Sequence, residues 1–153
     1  MPDSATQSSD HQVAIVRTFD AAPEQVWEAW VDPAQVAQWW GPDGLETPLE
    51  SVVIELRQGG RYDLVMVDRR SGGESPVRQE ILEVSAPQLL VLRHEPMPQY
   101  GLVDPIITRV EFHAHDGGTR LAVTGSPYTA ELGPMAELGW GQQLDKLARL
   151  LSA

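Results

Sequence analysis

The chain has 153 residues, of which 42% are hydrophobic, the size of one domain with a core of its own. A formal net charge of −11, with no basic run longer than Arg69-Arg70, argues against a nucleic-acid partner. The absence of cysteine excludes disulfides, thiol nucleophiles and thiolate metal sites.

No apolar run approaches the roughly 18 residues of a membrane span, and the first ten residues have neither the basic nor the apolar part of a signal peptide. The expectation is a cytoplasmic protein without a membrane partner. Residues 1–11 are polar and read as a disordered tail, and residues 12–153 read as a single domain. From Gln12 a β-branched run to Phe19 predicts a first strand. Pro23 followed by Glu24 starts a short helix that ends near Val31, because Asp32 precedes a proline. Asp32 then caps a second short helix, with Pro33 at its first position, Gln35 in a capping-box position, and Gly41-Pro42 as its stop.

Strands are predicted over 50–57 and 61–68 about a Gln58-Gly59-Gly60 hairpin, then over 76–84, 88–95, 107–115 and 119–124. Alternation places Tyr62, Leu64 and Met66 on one face, Leu90, Leu92 and His94 on a second strand's inner face, and Val110 and Phe112 on a third's. Pro96 to Pro105 is longer than a plain hairpin needs and reads as a candidate lid. From Gly133 to Ala153, the residues Ala136, Trp140, Leu144, Leu147 and Leu151 recur at helical spacing, opposite a side carrying Glu137, Gln142, Gln143, Asp145, Lys146 and Arg149. Gly139 and Gly141 flank Trp140 at a cost of roughly 1 kcal/mol each in helix propensity, a sign of close packing or of adjacent space.

The pattern is α+β: a curved antiparallel sheet of about seven strands wrapped round a long C-terminal helix, with two short helices after the first strand. Such a sheet leaves a hollow under the helix, and that hollow is the candidate site.

Several ordered motifs carry a resemblance. They are Arg17-Thr18-Phe19-Asp20-Ala21-Ala22-Pro23 with Val26-Trp27, Asp32-Pro33, Trp39-Trp40-Gly41-Pro42, Arg57-Gln58-Gly59-Gly60-Arg61-Tyr62, and Gly139-Trp140 with Leu144-Asp145-Lys146-Leu147. From Val13 to Leu151 the chain resembles the SRPBCC, or START-like, superfamily, and within it the group named after homologues of the activator of the heat-shock protein 90 ATPase. The resemblance implies the helix-grip fold with a deep apolar cavity between the last helix and the sheet, binding apolar or amphipathic small molecules. Glu55 stands where the group usually has aspartate, His94 where an aromatic is common, and the 96–105 loop is long.

Trp39, Trp40, Tyr62, Leu64, Met66, Leu92, His94, Val110, Phe112, Trp140 and Leu144 are the candidate cavity residues. Most of these serve the core by the same alternation that turns them inward; His94 differs because an inward imidazole must be satisfied or solvated. His113 and His115 share a strand face at the spacing of a metal pair, but they point outward and lack a third ligand, so no metal site and no cofactor is expected. Glu80, Arg78, His94 and Tyr62 are the only groups nominated for acid–base chemistry, and Arg57 is expected to pair with Glu55 or Asp63. The leading reading is a non-catalytic binding protein for an apolar small molecule. A cyclase- or hydrolase-like enzyme is the alternative, and a partner of the heat-shock protein 90 chaperone, from the family name alone, is a third. Leu138 and Leu150 lie off the main apolar face as a candidate self-association patch, which leaves monomer or homodimer open.

Overall fold

The computed structural model describes residues 11–152; of the expected tail over residues 1–11, residues 1–10 lie outside them and His11 begins the first strand. In chain order the elements are β1 (His11–Phe19), α1 (Pro23–Val31), α2 (Pro33–Trp39), β2 (Leu45–Glu46), β3 (Val53–Ile54), β4 (Tyr62–Asp68), β5 (Glu74–Val77), β6 (Gln79–Ser85), β7 (Leu89–His94), β8 (Ile106–His115), β9 (Gly118–Tyr128) and α3 (Leu132–Ser152). Among the described residues every strand pair is antiparallel. One sheet runs β1-β9-β8-β7-β6; the other has β4 at its centre, paired with β2, β3 and β5. The fold is the expected α+β class. None of the helices among the described residues is long and apolar enough to cross a membrane.

The two short helices begin and end where proline and capping chemistry place them. Pro23 and Pro33 open them, the Gln25 side chain accepts from the Ala22 N–H at 3.1 Å, and Asp32 accepts from the Ala34 N–H at 3.2 Å. Gln35 bonds to the Asp32 carboxylate instead of to the cap's backbone, so the expected capping box is only half formed.

Among the described residues the strands number nine and not about seven, and the differences have local causes. The stretch expected as a strand over 50–57 begins as a 3-10 turn, Leu49–Ser51, set by Pro48, and only Val53–Ile54 pairs with β4. The strand expected over 76–84 divides at Arg78. Val77 pairs with Leu64 of β4, while Gln79 pairs with His94 of β7 and donates its backbone N–H to Asp63 Oδ1 at 2.9 Å. Arg61 holds that same carboxylate through two contacts of 3.1 Å, so this corner stitches the two sheets. At its other end β9 runs on to Tyr128, beyond the expected stop at Thr124.

The core lies between the inner sheet face and the three helices. Val26, Ala29, Trp30, Val36 and Trp39 from α1 and α2 meet Tyr62, Leu64, Leu90, Leu92, Val110 and Leu121 from the strands, and Leu144 and Leu147 from α3, all fully buried. Of the two leucines set off the apolar face of α3, Leu138 is exposed, but Leu150 is half-buried against the core and drops out of the expected patch.

Candidate functional site

Two inward rows of side chains start packed and end open. On β4, Tyr62 and Leu64 are fully buried and Met66 is not; on β7, Leu90 and Leu92 are fully buried and His94 is not. Residues at these strand ends, Val77, Gln79, His94, Ile106, Thr108 and Tyr128, form one wall of an open cleft of about 470 Å³. The opposite wall is α3, through Met135, Ala136, Gly139, Trp140 and Gln143, with Trp40 and Pro42 beside it. Met97, Gln99 and Tyr100 of the 96–105 loop edge it. Glycine at 139 keeps the helix thin there: a Cβ on it would touch Pro42 at 3.4 Å.

Behind Trp40 and Trp140 stands a block of rings. Trp30 stacks on Trp140 at 5.9 Å and 17°, Trp40 meets Trp140 edge-on at 5.5 Å, and Trp39 tilts against Trp30 at 4.8 Å. The Trp39 indole donates to the Ala29 carbonyl at 2.8 Å. The Trp30 N–H is the one fully buried side-chain polar atom without a partner among the described residues.

Of the eleven candidate residues, Trp40, Met66, His94 and Trp140 line the cleft. Trp39, Tyr62, Leu64, Leu92, Val110, Phe112 and Leu144 do not; they are at most 3% exposed and belong to the packed core. Tyr62 is held there by its hydroxyl, which donates to the Trp30 carbonyl at 2.5 Å, and burial pushes its pKa up. Of the acid–base nominees only His94 reaches the cleft. Glu80 lies on the other sheet face and pairs with Arg93 at 3.0 Å, and Arg78 is exposed. Arg57 faces Glu55 at 3.8 Å, while Asp63 is taken by Arg61. His113 and His115 lie outward and contact Glu111 and Asp116, and no group of metal-ligating side chains is gathered among the described residues.

The sequence reading missed Gln79, Thr108, Tyr128 and Gln143. Gln143, placed on the outer side of α3, is 5% exposed, and its Oε1 accepts from the Gly41 N–H at 2.9 Å. Its position, three residues after Trp140 and four before Leu147, was the available signal. Burial raises the pKa of Tyr128, keeping its phenol a neutral donor.

A larger depression of about 680 Å³ lies on the other side of Trp40, lined by Asp43, Glu46, Arg69, Lys146 and Arg149. Lys146 already donates to the Leu45 carbonyl at 3.1 Å, and desolvation lowers its pKa. This depression is a charged surface whose Lys146 is already engaged, so the cleft under α3 is the better candidate.

A sheet wrapped on a long terminal helix, closed by two short helices and open at one end of the helix–sheet seam, defines a helix-grip, START-like domain. The profile of the family described as "Activator of Hsp90 ATPase homolog 1-like protein" matches residues 20–152, and the chain belongs to that family. No curated protein matches it. Among solved structures it is similar to a protein of Chromobacterium violaceum, at 24% identity over 93% of this chain and 97% of that one, with a TM-score of 0.83. A protein of Nitrosomonas europaea is 21% identical over 99% and 98% of the two chains, with a TM-score of 0.79. The AHSA1 protein of Silicibacter pomeroyi is 25% identical over 93% and 98%, with a TM-score of 0.80.

Proposed function

We propose that this protein binds an apolar or amphipathic small molecule in the cleft under α3 without transforming it. The observation that carries this reading is the cleft itself. It is about 470 Å³ in size, with Met66, Val77, Ile106, Met135, Trp40 and Trp140 as apolar walls and a few polar groups among them. That size and lining are usual for small-ligand sites, which span roughly 300–1,000 Å³. The 96–105 loop, through Met97 and Tyr100, serves as the cleft's lid in this reading. Acid–base catalysis loses support because Glu80, Arg78 and Tyr62 lie outside the cleft, which leaves His94 without a second nominated group. The chaperone reading rests on the family's name and on no contact surface.

The test is a thermal-shift screen of the full chain against sterols, fatty acids, flavonoids and polyketide-like aromatics. A ligand of the native state alone stabilises it by about 2.7 kcal/mol at a hundredfold excess over its dissociation constant. We expect at least one class to raise Tm and the shift to vanish in Gly139→Leu, whose side chain fills the cleft. No shift with any class would overturn the proposal.

A further inference from the structure

The cleft is chemically lopsided. Among the described residues its lining contains no lysine or arginine, Glu74 is its one carboxylate, and His94 is its one imidazole. The whole chain is acidic besides, with 22 Asp and Glu against 11 Lys and Arg. A ligand carboxylate entering here would lose water without gaining a cation, and would sit beside a like charge.

The His94 ring has a defined polarity. Its Nδ1 is 2.7 Å from the Glu95 carbonyl oxygen. A carbonyl only accepts, so Nδ1 carries the hydrogen and, in the neutral ring, Nε2 is a bare acceptor. Nε2 has no hydrogen-bond partner among the described residues. His94 ends the row Leu90, Leu92, His94, with Gln79 and Ile106 as its cross-strand neighbours, so an acceptor stands at the junction of the apolar core and the open cleft.

We propose that the cleft selects an uncharged ring compound bearing a hydroxyl. The hydroxyl donates to His94 Nε2, the apolar body lies against Trp40, Trp140 and Met66, and carboxylates are rejected. This rests on the reading of the cleft as a ligand site. His94 is then a specificity-determining residue, since a body of the same shape without the hydroxyl leaves its acceptor unpaired.

Naphthol, methylnaphthalene and naphthoate, substituted at the same ring position, share one body and differ in one group. Each is titrated into the full chain and followed by the NMR shifts of the Trp40 and Trp140 indole N–H groups. The expected order is naphthol tighter than methylnaphthalene by roughly tenfold, the scale of one hydrogen bond, and no saturable shift with naphthoate. In His94→Phe naphthol falls to the methylnaphthalene level while methylnaphthalene itself is unchanged; His94→Gln, which keeps an acceptor, recovers part of the difference. Equal affinity for naphthol and methylnaphthalene, a naphthol preference that survives in His94→Phe, or binding of naphthoate as tight as that of naphthol overturns the inference and leaves the cleft standing as a ligand site. Failure of all three probes to bind overturns both.

Discussion

Tyr62 shows how one atom fixes the ceiling of the core. Its hydroxyl donates to the carbonyl of Trp30, one residue from the end of α1, where a helix no longer supplies partners of its own. Tyr62→Phe keeps the ring and strands that carbonyl in a dry environment, so we expect a loss of about 1–3 kcal/mol, read from urea unfolding. An unchanged midpoint would mean the carbonyl finds water instead. Gly60 is constrained more severely, by space. A Cβ there would overlap the Glu55 carbonyl oxygen and lie 3.0 Å from that of Arg57, while its own N–H and C=O bond to Arg57 and Ile81. Those neighbours are backbone and cannot swing aside. Gly60→Ala should cost at least about 2 kcal/mol, in the upper part of the usual range for overpacking; a melting temperature within a degree or so of the parent's would refute this account of the turn.

At the scale of elements, α3 keeps two glycines that it does not need for packing alike. The Cβ of an alanine at 141 would meet only Ile15 Cδ1 at 3.9 Å, and at 139 only Pro42, at 3.4 Å at the nearest. Both contacts are ordinary, so Gly141→Ala should stabilise by about 0.8 kcal/mol through helix propensity, measured by chemical denaturation. Gly139→Ala should stabilise as much but weaken ligand binding, because position 139 lines the cleft and position 141 does not. Equal effects of the two substitutions on binding would separate the glycines from the site. Helices were legible because proline, capping residues and the 3.6-residue period act locally: α1 and α2 fall between the residues that the sequence names. Strand ends were less legible. Nothing local shows that Arg78 is a corner, because the division of β5 from β6 comes from two different partners, β4 and β7. The site was legible only in part for a related reason. Alternation identifies which face of a strand turns inward, not where along the strand the helix stops covering it. Leu92 and His94 share a face, yet only His94 reaches the cleft. Polar identity is also a poor guide to side: Gln143 follows the apolar period of α3 and is buried although it is a glutamine.

Across the whole molecule, two phenols withdrawn wholly or partly from water set the alkaline limit of the fold. Tyr62 is fully buried and Tyr128 half-buried, and in both desolvation raises the pKa by penalising the phenolate. One sits under α1 and the other in the wall of the cleft. Below the ordinary tyrosine pKa of about 10, folded and unfolded chains both hold these protons, and the contribution to stability is complete. As pH rises through that value the unfolded chain ionises while the folded one does not, so stability is lost progressively towards the raised folded pKa values. The loss adds to self-repulsion in a chain whose net charge is already −11 at neutral pH. Salt separates the two effects: it screens the surface charges, whereas the desolvation of a buried phenolate is local. Denaturant midpoints measured from pH 8 to pH 11 should therefore fall above about pH 10 at both low and moderate salt, with the curve flatter in Tyr62→Phe. If salt abolished the fall in the parent chain, general repulsion would be its cause and the two phenols would have no part in it.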